Sequence, residues 1–238
     1  MAIQTRLIDY TDGDTHLEGY LALDNSLDQP RPGVLIAHAF GGRSDFECEK
    51  ARLLAQQGYV GFAMDMYGEG RGGDTFEENS ALMQPFLDDR EKLQKRMTLA
   101  LSALRQQPEV DDDNLAAMGF CFGGLCVLDL ARTGADIRGA ISFHGLLTPP
   151  GNTADTPIKA RILALHGYDD PMVPPQSLLD FANEMTGAGA DWQVHAYGNT
   201  LHSFTNPEAN DPELGAKYDA AADRRSWTSL LNFLEEIF

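Results

Sequence analysis

The run Gly119-Phe120-Cys121-Phe122-Gly123-Gly124 follows a short apolar stretch, residues 115–118, and precedes a helical pattern that starts near Leu125. This has the spacing Gly-x-nucleophile-x-Gly. A sharp strand-to-helix turn brings backbone close around its central residue, so glycines are needed two positions either side, and the central side chain is pushed up above the sheet. The turn also sets Cys121 at a helix N-terminus. There the free N–H groups and the helix dipole favour a thiolate below the ~8.5 reference value of a thiol. A thiolate attacks electrophilic carbon or phosphorus, whereas a thiol does not. Taken alone, the hexapeptide also fits a small apolar residue buried in a tight turn, so other residues must decide. Cys126, among Leu125, Val127 and Leu128, reads as inert core.

A nucleophile in such a turn requires an acid and then a histidine later in the chain. Residues 162–166 read as a strand that ends in Gly167-Tyr168-Asp169-Asp170-Pro171-Met172-Val173-Pro174, which puts a carboxylate in a loop at a strand's carboxyl end. Residues 192–197 read as the next strand, followed by Gly198-Asn199-Thr200-Leu201-His202-Ser203-Phe204. In this order His202 takes the thiol proton, and Asp170 fixes the imidazole tautomer and stabilises the imidazolium. The spacing Asp-x-x-Val-Pro selects Asp170 over Asp169, which reads as a solvated turn residue. Acyl transfer also needs donors for a developing oxyanion. The expected donors are the backbone N–H of Phe122, next to the nucleophile, and that of Phe40 in the loop His38-Ala39-Phe40-Gly41-Gly42.

These residues need a scaffold that gathers them at one end of a sheet. An opening hairpin is expected around Thr11-Asp12-Gly13-Asp14, pairing residues 5–9 with 16–23. Strands then alternate with helices: strand 33–37, helix 47–57, strand 59–64, helix 80–107, strand 115–119, helix 125–131, strands 137–143 and 162–166, helix 177–185, strand 192–197 and helix 216–238. The continuously apolar Gly33-Val34-Leu35-Ile36-Ala37 fits a strand buried on both faces. This order predicts an α/β fold, a mostly parallel sheet with helices on both faces and an N-terminal antiparallel hairpin, organised as a single domain over residues 1–238.

On these motifs the chain resembles the dienelactone hydrolase family of α/β-hydrolases, whose members carry a Gly-x-Cys-x-Gly-Gly turn, an Asp-x-x-Val-Pro acid loop and a His-Ser-Phe histidine loop. The likeness extends to Asp65-Met66-Tyr67-Gly68 and to a metagenome-derived member described as a promiscuous phosphotriesterase. It implies a triad of Cys121, Asp170 and His202 that hydrolyses small cyclic and open esters without a cofactor. Lactone-cleaving members place a glutamate where this chain has Ala39, and an arginine that grips the substrate carboxylate where it has Asn206. With both missing, the resemblance points to a neutral, more apolar ester, with Ala39, Phe40, Tyr67, Arg71, Phe86, Phe122, His144 and Phe204 around the substrate. An activated thiolate in such a site also has the chemistry to attack a neutral phosphotriester. A small-molecule receptor without catalysis is the reading from a different class.

Charge narrows the partners. The 238 residues hold 36 acidic against 18 basic side chains, a net charge of −18, which repels nucleic-acid backbones and anionic lipid surfaces. Neither a leader-like apolar stretch nor a membrane-length one is read in the sequence, and three cysteines without paired spacing fit thiols. The expectation is a cytoplasmic monomer or homodimer, with neither metal nor cofactor and a small neutral ester as substrate. Gly68-Glu69-Gly70-Arg71-Gly72-Gly73 matches a dinucleotide-binding pattern, but an acidic segment rather than a helix follows the glycines, so it reads as a mobile loop. His38, His144, His166, Asp65 and Glu47 lack metal-ligand spacing and read as satisfied interior residues, and Asp111–Asp113 as a solvated turn.

Overall fold

The computed structural model describes residues 2–26 and 28–238. Eight strands form a mixed, mostly parallel sheet flanked by helices, with an additional two-stranded ribbon. The chain forms two compact units, Met1–Met118 and Gly119–Phe238.

In the first unit, β1 (Ile3–Asp12) and β2 (Thr15–Asp24) form the antiparallel hairpin, longer than the sequence pattern suggested. Its turn is only Gly13-Asp14, with Gly13 at φ +58. Strand β2 pairs antiparallel with β4 (Val60–Ala63), and β4 pairs parallel with β3 (Arg31–Ala37). Helix α1 (Asp45–Gln56) starts at a capping box: the Ser44 hydroxyl accepts the Phe46 N–H, and the Glu47 carboxylate accepts the Ser44 N–H at 2.9 Å. Gly61 of β4 lies directly against the α1 backbone, where an added Cβ would sit 2.6 Å from the Ala51 carbonyl oxygen.

The helix expected over residues 80–107 is two helices, α2 (Phe76–Asp88) and α3 (Arg90–Arg105). Asp89 breaks the pattern at φ −125, and its carboxylate caps the new helix by accepting the Lys92 N–H. Strand β5 (Val110–Phe120) starts five residues before its expected start and includes Asp111–Asp113. That segment is therefore the exposed beginning of a strand and not a turn.

In the second unit, β6 (Gly139–Phe143), β7 (Arg161–Gly167) and β8 (Trp192–Tyr197) pair parallel in that order. Helix α4 (Phe122–Arg132) is buried along its whole length. It is followed in the chain by α5 (Pro175–Gly187) and α6 (Ala220–Ile237). Residues 216–219, read as helix from sequence, instead begin with a ribbon strand: β9 (Asn210–Asp211) pairs with β10 (Ala216–Lys217).

Candidate active site

The turn from β5 into α4 holds Cys121 at φ +53, a conformation disfavoured for a residue with a Cβ. Gly119 allows it, because any Cβ there would collide with the Gly123 backbone. Gly124 allows the approach of Gly145, whose Cα an added Cβ would meet at 2.7 Å. Cys121 is partly exposed, whereas Cys48 and Cys126 are buried.

Asp170 and His202 meet in the second unit. His202 Nδ1 donates to Asp170 Oδ2 at 2.6 Å, and both side chains are buried. Asp170 Oδ1 accepts the Met172 N–H at 2.8 Å, so both carboxylate oxygens are engaged. Asp169 is exposed. With Nδ1 committed, His202 Nε2 is the nitrogen left for proton transfer; it is buried and completes no hydrogen bond of good geometry at rest. The ribbon missed in the sequence fixes this histidine. His202 N–H donates to the Gly215 carbonyl at 2.8 Å, and Lys217 N–H donates to the His202 carbonyl at 2.9 Å. Gly215, at φ +80, packs against the Pro171 ring beside Asp170.

Electrostatics favour an ion pair. Burial alone would push the Cys121 thiol up, but the His202 charge beside it and the Phe122 N–H together pull it below the ordinary thiol value. For His202, burial would depress the imidazole. The Cys121 thiolate and the Asp170 hydrogen bond outweigh that and raise it to about 10. A lowered thiol keeps its thiolate as the pH falls, until the pH passes through the lowered value. Iodoacetamide should therefore label Cys121 at neutral pH well before Cys48 or Cys126, at a rate that levels off at a lower pH than that of an ordinary thiol, which gains up to about tenfold per unit below its own value. Peptide mapping of alkylated protein measures this; a Cys121 rate that climbs in parallel with a free thiol would refute the ion pair.

The two expected oxyanion donors lie in different environments. Phe122 N–H faces the Cys121 sulfur. Phe40 N–H donates to no acceptor among the described residues, although its neighbours are engaged: Ala39 N–H reaches Glu47 Oε1 at 3.3 Å, and the Phe40 carbonyl accepts the Tyr67 hydroxyl at 2.8 Å. His38 Nδ1 donates to the Ala39 carbonyl at 2.6 Å while Nε2 accepts the Met66 N–H, and burial keeps its imidazole below the usual value. Thus Glu47, His38 and Tyr67 together set the shape of the 38–42 loop.

The candidate substrate residues separate into two groups. In the first unit, the Tyr67 ring lies 5.9 Å from Phe86, Phe40 lies 5.6 Å from Phe76, and Lys92 and Arg96 cover Phe86. The Arg71 guanidinium is tied to the Gly68 and Tyr67 carbonyls. Its loop is braced at its start, where buried Asp65 accepts the N–H groups of Tyr67, Gly68 and Gly70. In the second unit, His144 and Phe204 are buried, and each lies in edge contact with the other at 5.1 Å. The polar atoms of His144 bond within the protein: Nδ1 accepts the Cys121 N–H at 3.2 Å and Nε2 meets Thr205 Oγ1 at 2.8 Å.

Among the described residues, only Asp111, Asp112 and Asp113 bring three ligand-type side chains together. His38, Glu47 and Asp65 have partners in the interior, as expected, but His166 departs from that reading. It is buried with neither ring nitrogen hydrogen-bonded, and burial holds its imidazole below the usual value. Among the described residues no helix is long and apolar enough to cross a membrane.

A crystal structure described as a dienelactone hydrolase-like promiscuous phosphotriesterase from metagenomic libraries is 39% identical, covers 100% of both chains and superposes with a TM-score of 0.94. An uncharacterized Caenorhabditis elegans protein is 43% identical over 154 residues, covering 63% of this chain and 98% of its own. A Bradyrhizobium protein described as a probable 2-oxo-3-(5-oxofuran-2-ylidene)propanoate lactonase is 28% identical across 98% of this chain and 96% of its own. The model of the dienelactone hydrolase family matches residues 17–238, and the chain belongs to that family.

Proposed function

We propose that this hydrolase cleaves small neutral carboxylic esters or lactones through an acyl-cysteine intermediate. The observation that carries the reading is the 2.6 Å contact between His202 Nδ1 and Asp170, coupled to a thiol that is lowered while the imidazole is raised. The Cys121 thiolate attacks the ester carbonyl, and the oxygen of the tetrahedral intermediate is held by the N–H of Phe122, which faces the sulfur, with the Phe40 N–H the second donor expected from the sequence. As the C–O bond breaks, His202 Nε2 gives its proton to the departing alkoxide. A water molecule then attacks the thioester, His202 takes the water's proton, and the thiolate leaves with a carboxylic acid as product.

Ala39 and Asn206, and the engaged Arg71, leave few charged side chains for gripping an anionic substrate, which favours a neutral one. The net charge of −18 and the free cysteines support a cytoplasmic enzyme that binds neither nucleic acid nor membrane. A second reading, hydrolysis of neutral phosphotriesters through a phosphorylated Cys121, draws support from the 39% identical phosphotriesterase. Mass spectrometry of protein quenched during turnover tests both. An acetyl group on the Cys121 peptide is expected with p-nitrophenyl acetate, and a dialkylphosphoryl group on the same peptide with paraoxon if the second activity exists. Turnover with any adduct located elsewhere would overturn the cysteine mechanism.

A further inference from the structure

We propose that His144 is a positioning residue that locks the nucleophile turn to the histidine loop, a role distinct from lining a substrate pocket. This rests on Cys121 and His202 being the nucleophile and the base.

The strained Cys121 backbone needs restraint from its surroundings. Its N–H is shared between the Phe143 carbonyl at 3.0 Å and His144 Nδ1 at 3.2 Å. A ring nitrogen that accepts an N–H carries no proton, so the neutral imidazole holds its hydrogen on Nε2. That Nε2–H donates to Thr205 Oγ1 at 2.8 Å, and Thr205 is itself buried, three residues beyond His202. The same ring meets His202 edge-on, with centroids 5.1 Å apart, and Phe204 at 5.1 Å. His144 is in turn anchored, because its own N–H donates to the Leu165 carbonyl at 2.8 Å. Its backbone lies at φ +38, a second strained residue in the same cluster. One neutral ring thus holds the backbone of the nucleophile at one nitrogen and the loop of the base at the other, and it packs on the base between them.

The lock depends on a single tautomer. If the proton moved to Nδ1, two N–H donors would face each other at Cys121, and the turn would move away from His202. The Thr205 oxygen prevents this by accepting at Nε2. A valine there keeps the shape and removes the acceptor, and a serine restores it.

The test compares Thr205→Val, Thr205→Ser and His144→Asn with wild type, using p-nitrophenyl acetate turnover and the iodoacetamide rate at Cys121. Thr205→Val should lower kcat by about 10- to 100-fold with KM within about twofold, the scale of a small misplacement of reacting groups. Alkylation should slow alongside it, and Thr205→Ser should recover most of both. His144→Asn loses both the Thr205 bond and the ring contact with His202, so it should lower kcat at least as much as Thr205→Val, and wild-type kcat in this variant would overturn the proposal. Equal losses in the valine and serine variants, or wild-type kcat in Thr205→Val, would overturn the proposal. A change confined to KM would also overturn it and return His144 to substrate contact. If Thr205→Val does not fold, the Thr205→Ser and His144→Asn values decide. Failure of the underlying mechanism is seen separately, as turnover that survives Cys121→Ala.

Discussion

Cys121→Ala is expected to lower kcat on an activated neutral ester by at least about 10³-fold, to the level set by binding and the oxyanion donors alone. The substitution removes the one partly exposed thiol and leaves Asp170 and His202 in place. Alanine has the same backbone preferences as cysteine, so the strained turn is not asked to do anything new, and thermal melting should show a fold close to wild type. Cys121→Ser is informative beside it: a hydroxyl at this position has to be deprotonated during attack, so a small residual rate is expected. Wild-type turnover in the alanine variant would refute the mechanism. An absence of turnover by the wild-type protein on every activated ester would favour the receptor reading.

Asp170→Asn should cost about 10²- to 10⁴-fold in kcat, as when the acid of a comparable triad is neutralised. An asparagine can turn its NH₂ toward Nδ1 and so favour the tautomer with its proton on Nε2, the wrong one for accepting a proton from water. The pH profile carries a second signature. The imidazolium is present below the His202 value of about 10 and is lost as the pH rises through it. Removing the carboxylate lowers that value, so the loss on the alkaline side should move to lower pH. Asp169→Asn, at an exposed residue, should leave both kcat and the profile unchanged. The opposite pattern, a silent Asp170→Asn and a damaging Asp169→Asn, would reassign the acid.

The parts of the fold that were legible share a physical cause. The strand over residues 192–197 appears with the boundaries expected, set by the turn residues that flank it, and the β7 run from Ile162 to His166 within one residue at each end, since a short apolar run between turn residues has few other ways to bury itself. The Cys121 turn was legible because glycines are forced there by steric contact, as the Gly119 and Gly124 environments show. The α2–α3 break was hidden by an amphipathic pattern that continues through it, and the deciding residue, Asp89, acts by capping and not by its apolarity. Asp111–Asp113 misled for the opposite reason: exposed residues at the start of β5 tolerate charge, so a strand looked like a turn.

At the site, the positions of Cys121, Asp170 and His202 were legible because each follows a strand. The contact of His144 with Thr205 was not, since 61 positions separate the two and no local pattern encodes it. The β9–β10 ribbon was hidden because its two-residue strands are too short and too exposed to leave an apolar pattern.

The β9–β10 ribbon also makes the site unevenly durable. The His202 carbonyl is held by exposed Lys217 of β10 and its N–H by buried Gly215 in the turn before it, while Cys121 is tied to the buried end of β6. Segments with little buried apolar surface open at a lower free-energy cost than the core they rest on. If His202 is the base, the histidine loop should loosen before the core of the sheet as the protein is warmed or treated with mild denaturant, so activity is expected to fall ahead of the melting of the sheet.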